Sequence, residues 1–126
     1  MKSRGNAGWA LALATSLAWA TPALAHHSYA VFDRNRTITL KGTVREFMWT
    51  NPHVGFVLTV SERGKAVDYA VEAQSPNALE RTGWKADTLK PGDRLTVRIH
   101  PFRDGSNGGS FVQARTSAGK TLEPYY

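Results

Sequence analysis

Five short segments in which apolar and polar residues alternate constrain the fold of this chain more than any other feature. They are residues 37–49, 54–60, 67–73, 95–99 and 111–116. In the first of them, Ile38, Leu40 and Val44 fall on one side and hydrophilic residues on the other. A period of two is typical of strands that bury one face, so the pattern predicts an all-β domain.

Turn and helix residues between these segments narrow the topology further. Residues 62–65 favour a tight hairpin between the second and third strands. Residues 75–83 favour one short helix, with Ser75 as its cap, Pro76 in its first turn and Gly83 at its stop. Three strands, a helix and two strands is the order of a small five-stranded Greek-key barrel of the OB type, whose helix lies between strands three and four.

The orientation of two aromatic residues at the end of the first strand is open. Phe47 and Trp49 fall on the opposite parity from Val44. A bulge near Arg45 and Glu46 would return both rings to the core. Without such a bulge, the two rings form an aromatic outer face.

The first 25 residues are typical of a secretory signal peptide. Lys2 and Arg4 precede an apolar stretch at 9–20, and an Ala-x-Ala sequence ends at Ala25. About 12 apolar residues are too few to cross a hydrocarbon core that needs roughly 20. We therefore expect cleavage after Ala25, export to the periplasm and no stable membrane insertion after cleavage.

The chain divides accordingly into four parts. We expect a signal peptide at 1–25, an N-terminal arm at 26–36, the OB-like barrel at 37–118 and a frayed C-terminal tail at 119–126. The 126 residues include no cysteine, so the fold depends on its core and has no disulfide to support it.

The charge is only mildly positive. Removal of Lys2 and Arg4 lowers the formal net charge from +6 to +4, and the remaining cations are interleaved with acidic residues along the sequence. Binding of nucleic acid would require clustered cations, so we do not expect it. We expect the mature protein to be a monomer.

A set of short motifs along nearly the whole mature chain carries a resemblance. They are His26-His27-Ser28-Tyr29, residues 40–44, Trp49-Thr50-Asn51-Pro52-His53, residues 75–79, Gly83-Trp84 and residues 89–93. As a set, they resemble a family of short exported bacterial proteins of unknown function. The resemblance implies a periplasmic OB-like domain, and it supplies no activity, substrate or cofactor.

The processed N-terminus is the first candidate site. His26 would present a free amine and an imidazole on one residue, and His27 would add a third nitrogen. Nitrogen ligands of this kind favour Cu(II) among the first-row divalent ions. His53 or His100 would complete the site if the fold brings either of them close. The alternative is a loose terminal chelate, with His53 packed in its own turn.

A ligand surface that combines aromatic and polar side chains is the second candidate. The residues proposed for it are Trp49, Asn51, Glu72, Asn77 and Trp84. OB barrels bind extended ligands across strands two and three, where aromatic stacking supplies affinity. The alternative is that the aromatic residues belong to the core, because a domain of this size needs several large side chains inside.

Enzymatic function has the least support. The sequence has no cysteine nucleophile, no Gly-x-Ser-x-Gly, no His-Glu-x-x-His and no phosphate-binding glycine loop. Copper oxidation chemistry at the N-terminus is the one enzymatic route left open. We therefore expect a small binding protein that binds a metal, copper first, or alternatively a metal-independent module that binds an envelope protein or glycan.

Overall fold

The computed structural model describes residues 30–126, which form six strands and one short helix. In chain order these are β1 (Ile38–Met48), β2 (Gly55–Glu62), β3 (Lys65–Glu72), α1 (Pro76–Glu80), β4 (Arg94–Pro101), β5 (Gly108–Thr116) and β6 (Thr121–Leu122). The expected signal peptide at 1–25, together with His26 and His27, lies outside the described residues.

The strands close into a barrel. β1 pairs antiparallel with both β2 and β4, β2 pairs with β3, and β4 pairs with β5. A short parallel pairing of β3 with β5, from Ala70 opposite Gly108 to Glu72 opposite Ser110, completes the circle. The prediction of an all-β, five-stranded OB-like barrel with one helix between strands three and four is confirmed.

A bulge in β1 decides which way the aromatic residues at its end point. The register between β1 and β2 shifts between Val44 and Glu46, so Arg45 is the additional residue. After this shift, Phe47 and Trp49 are half-buried and pack against the core. Of the two alternatives, the bulge that returns these rings to the core is the one observed.

The helix α1 begins as its sequence predicts and ends at Glu80, with Arg81 as its C-cap, two residues before the expected stop at Gly83. Ser75 is its N-cap, with a side chain that accepts a hydrogen bond from the Ala78 N–H, and Pro76 lies in the first turn. The chain then turns at Gly83, whose φ is +86°. Leu79 of the helix is fully buried, which anchors α1 on the barrel. Within residues 30–126, no helix is long and apolar enough to span a membrane.

The C-terminal tail is ordered, so the prediction that it is frayed is wrong. β6 pairs with β5, and Leu122 in it is buried in the core. Beyond β6, the Tyr125 N–H donates to Gln74 Oε1 at 2.6 Å, and Gln74 Nε2 donates to the Tyr125 carbonyl at 2.7 Å. The pairing with β5 and the burial of Leu122 hold β6 on the barrel, and the two hydrogen bonds hold Tyr125 against Gln74 in the segment between β3 and α1.

Candidate functional site

Two neighbouring backbone hydrogen bonds join the loop after β1 to the end of β3. The Val54 N–H donates to the Gln74 carbonyl at 2.9 Å, and the Ala73 N–H donates to the Val54 carbonyl at 2.7 Å. His53 immediately precedes Val54, and Glu72 immediately precedes Ala73. Glu72 is opposite Gly55, two residues after His53, so the antiparallel pairing places the side chains of His53 and Glu72 on the same outward face as diagonal neighbours.

His53 and Glu72 form the centre of the candidate site. His53 Nδ1 lies 2.9 Å from Glu72 Oε1, and the two side chains are 42% and 41% exposed. Both residues line two adjoining clefts, one of about 250 Å³ and one of about 80 Å³. The pair is thus fixed by the barrel, open to solvent and positioned between two concave surfaces.

The two clefts differ in their other walls. The larger one is mainly apolar, with Met48 at the end of β1 and Phe102 in the loop after β4. The smaller one is lined by Phe32, Phe111 and Pro124. The loops after β1 and β4 are those that OB folds use to contact ligands, so the clefts lie at the ligand-binding end of the fold.

The described part of the N-terminal arm is anchored at this same end. The Asp33 N–H donates to the Pro101 carbonyl, and the Arg103 N–H donates to the Val31 carbonyl, each at 2.8 Å. Phe32 is 4% exposed and stacks on Phe102, with ring centroids 5.2 Å apart. The described arm therefore lies next to the His53 and Glu72 pair, with Phe32 in the wall of the smaller cleft.

Among the described residues, no further metal-ligating side chains are gathered around His53 and Glu72. Among residues 30–126, no three His, Asp or Glu side chains form a group that could hold a metal ion. His100 Nδ1 lies 2.7 Å from the Arg36 carbonyl, and His100 does not line either cleft. His26 and His27 fall outside the described residues.

The residues expected to form an aromatic ligand surface do not form one cluster. Trp84 is 1% exposed and its indole N–H donates to the Glu123 carbonyl at 2.9 Å. Its ring is a core side chain and has no face for a ligand, which corrects the expectation for this residue. Trp49 is half-buried, Asn51 and Asn77 are exposed, and none of the three lines the clefts around His53.

Two titratable groups lie on the sheet away from the clefts. Hydrogen bonds from Thr59 and Arg45 hold the pKa of Asp68 below its ordinary value, although desolvation opposes them. The pKa of Tyr69 is raised, first by its hydrogen bond to Glu62 and then by burial. These shifts follow from cross-strand pairing and do not belong to the candidate site.

Several apolar side chains of the site were not singled out by the sequence, among them Phe32, Met48 and Phe102. Phe32 and Phe102 each lie in a segment that sequence patterns assign to an arm or a loop. A large apolar residue isolated in such a segment is the one sign that could have identified them, because a lone aromatic ring in a loop often has a partner to cover it.

The fold and the site define a small OB-type β-barrel with an anchored N-terminal arm. The chain matches the model of a family of unknown function (DUF6152) over residues 14–112 and belongs to that family. This agrees with the expected resemblance to an uncharacterised family. No curated protein matches the chain.

Proposed function

We propose that this protein is an exported, monomeric binding domain whose ligand is a transition-metal ion, Cu(II) ahead of the others. In this proposal, the signal peptide is cleaved after Ala25 and the mature protein works in the periplasm. The metal is held by the amine and imidazole of His26, by His27 and by His53. The observation that carries the proposal is the anchoring of the N-terminal arm beside the contact between His53 and Glu72.

The length of the N-terminal arm supports a metal site that His53 shares with the histidines of the processed N-terminus. Phe32 lines the smaller cleft together with His53 and Glu72. From Phe32 back to His27, an extended chain spans at most about 18 Å, at roughly 3.6 Å per residue. The histidines of a processed N-terminus are therefore within reach of the His53 ring.

The contact with Glu72 supports a role for His53 as a ligand. Imidazoles that bind metals commonly hold a carboxylate at their other ring nitrogen, which fixes the orientation of the ring. Glu72 Oε1 lies at Nδ1 of His53 and leaves Nε2 for a ligand. Glu72 acts in this proposal as a positioning residue and not as a direct ligand.

The choice of metal follows from the donor atoms. An amine and several imidazoles are nitrogen donors, and such sets bind Cu(II) more tightly than the neighbouring divalent ions of the first row. The described residues alone do not supply three ligating side chains in one group. The affinity therefore depends on the free amine of His26, which exists only after cleavage at Ala25.

Calorimetric titration of Cu(II) into the protein that starts at His26 tests the proposal. We expect one tight site, weakened at least about tenfold in His53→Ala. Glu72→Gln should also weaken it about tenfold or more, because the carboxylate that orients the His53 ring is lost. His100→Ala is the matched control, because this histidine does not line the clefts. Copper binding that is indifferent to His53→Ala would contradict the proposal and indicate a loose terminal chelate.

A second titration isolates the N-terminal amine. A version that retains one additional residue before His26 removes the chelate between amine and imidazole and leaves all side chains in place. We expect it to bind copper at least about tenfold more weakly, since metal affinity depends on each deprotonated ligand. Equal affinity would exclude the amine as a ligand and with it the need for processing.

The alternative function is a metal-independent module that binds an envelope protein or glycan. The larger cleft favours it, because Met48 is 37% exposed and faces Phe102 across about 250 Å³ of mainly apolar space. The cleft is a better candidate surface than the aromatic set, since Trp84 is buried. Met48→Ser should reduce binding of such a partner and leave the copper affinity unchanged, which separates the two functions.

A further inference from the structure

A second concave surface lies on the barrel, and it shares no lining residue with the clefts around His53. This groove has a volume of about 690 Å³ and is lined by residues of β1, β2, β3, β4, β5 and the segments next to them. Three cations line it, Lys41, Arg94 and Arg115, and it contains no Asp or Glu. We call it the basic groove.

Strand pairing gathers these cations from distant parts of the chain. Lys41 on β1 is opposite Thr96 on β4, and Thr96 is opposite Arg115 on β5. Arg94 lies on the same outward side of β4 as Thr96, opposite Thr43. Two strand spacings of about 4.8 Å separate the backbones of Lys41 and Arg115 by about 10 Å.

The cations of the groove are not neutralised by the protein. Within residues 30–126, none of the three forms an ion pair. Asp68, whose neighbour Thr59 lines the groove, is already engaged by Arg45 and by the Thr59 hydroxyl. Uncompensated cations over a concave surface attract an anionic ligand.

Free hydroxyl groups lie between the cations. Thr43, Thr96 and Ser117 line the groove, and their side chains make no hydrogen bond within the described chain. A hydroxyl can donate and accept, so it suits a ligand that has hydroxyls of its own. The widely spaced cations with hydroxyls between them match a ligand in which anionic groups alternate with neutral polar groups.

We propose that the basic groove binds an extended acidic polysaccharide whose sugar carboxylates pair with Lys41, Arg94 and Arg115. Arginine binds carboxylates through two parallel hydrogen bonds, and the hydroxyls of Thr43 and Thr96 pair with sugar hydroxyls. A flat anionic membrane fits less well, because the surface is concave. Within residues 30–126, the large exposed apolar side chains are Val31, Met48, Tyr125 and Tyr126, and none of them lines the groove.

The test is fluorescence anisotropy with a labelled oligomer of galacturonic acid at low salt. Arg94→Gln/Arg115→Gln should weaken binding about tenfold, because each exposed ion pair contributes a factor of up to about five. Lys85→Gln/Arg103→Gln loses the same charge outside the groove and should change affinity less than about twofold. Equal losses in the two double variants would overturn the proposal, since net charge alone would then explain binding.

Two further arms test the chemistry of the ligand. The same oligomer with its carboxylates reduced to alcohols should not bind, and equal binding of this neutral oligomer would overturn the role of the cations. Thr96→Val, which removes a hydroxyl and keeps a branched side chain suited to a strand, should weaken galacturonate binding and leave binding of inorganic polyphosphate unchanged. Equal effects on both probes would overturn the assignment to a sugar.

The test of polysaccharide binding is independent of the proposed metal site. The groove and the clefts share no residue, so loss of polysaccharide binding in Arg94→Gln/Arg115→Gln should leave the copper affinity of the processed protein unchanged. Circular dichroism of each variant verifies that the barrel is intact.

Discussion

Replacement of Trp84 by alanine should destabilise the barrel more than any other single aromatic truncation. The ring is almost fully buried, packs edge-on against Phe111 with centroids 5.3 Å apart, and lies 6.5 Å from the ring of Phe47. Truncation of a buried tryptophan costs about 3–5 kcal/mol. Loss of the indole hydrogen bond to the Glu123 carbonyl adds about 1 kcal/mol.

The expected loss of about 4–6 kcal/mol is a large part of the roughly 5–15 kcal/mol that holds a domain together. The thermal midpoint should fall by at least about 16 °C, since 1 kcal/mol shifts it by roughly 4–8 °C in a domain of this size. Trp49→Ala is the matched control. Its half-buried ring has one aromatic neighbour, Phe47, so we expect a loss of about 1–2 kcal/mol.

Urea denaturation followed by circular dichroism measures both variants. If Trp84→Ala unfolds at the same urea concentration as Trp49→Ala, the assignment of Trp84 to the core is wrong. Trp84 would then again be a candidate residue for ligand binding.

Three other predictions follow from particular contacts. Gly109→Ala should lower the thermal midpoint and the free energy of unfolding, the latter by about 1–3 kcal/mol. A Cβ at this position would lie 2.0 Å from the backbone oxygen of His100 and must push β4 and β5 apart. An unchanged midpoint would refute this close approach. The pKa of Asp68 is held below 3.8, so its carboxylate stabilises the fold above that pH, and this stability is lost as the pH falls through the folded pKa. The difference in stability between the natural protein and Asp68→Asn should therefore shrink below pH 3.8. A constant difference would contradict the lowered pKa of Asp68. Gln74→Ala removes both hydrogen bonds to the Tyr125 backbone and should speed release of the last residues by carboxypeptidase. An unchanged rate of release would show that these bonds do not hold the tail.

Local sequence patterns were sufficient to predict most of the barrel. Ser75 and Pro76 determine where α1 begins, because a hydroxyl cap and a proline in the first turn act within a few residues. The hairpin between β2 and β3 similarly depends on Arg63 and Gly64, which both have positive φ. The alternation does not determine the orientation of Phe47, because this orientation depends on a bulge and the sequence pattern is compatible with either register.

Features that depend on contacts between distant residues were not predictable in the same way. Leu122 lies in a segment too short to have an alternating pattern, and its burial depends on the neighbouring strand β5. The basic groove is a second example, since Lys41 and Arg115 are far apart in sequence and come together only through their pairing with Thr96 on β4. The contact between His53 and Glu72 likewise results from the pairing of Val54 with Gln74 and Ala73.

The proposed function requires that the processed N-terminus and His53 share one metal ion. Electron spin-echo spectroscopy of the Cu(II)-loaded protein that starts at His26 measures it directly, because the modulation reports how many imidazoles are coordinated. We expect His53→Ala to lose one imidazole from the count and His100→Ala to retain all of them. An identical count in the natural protein and in His53→Ala would show that His53 does not bind the metal.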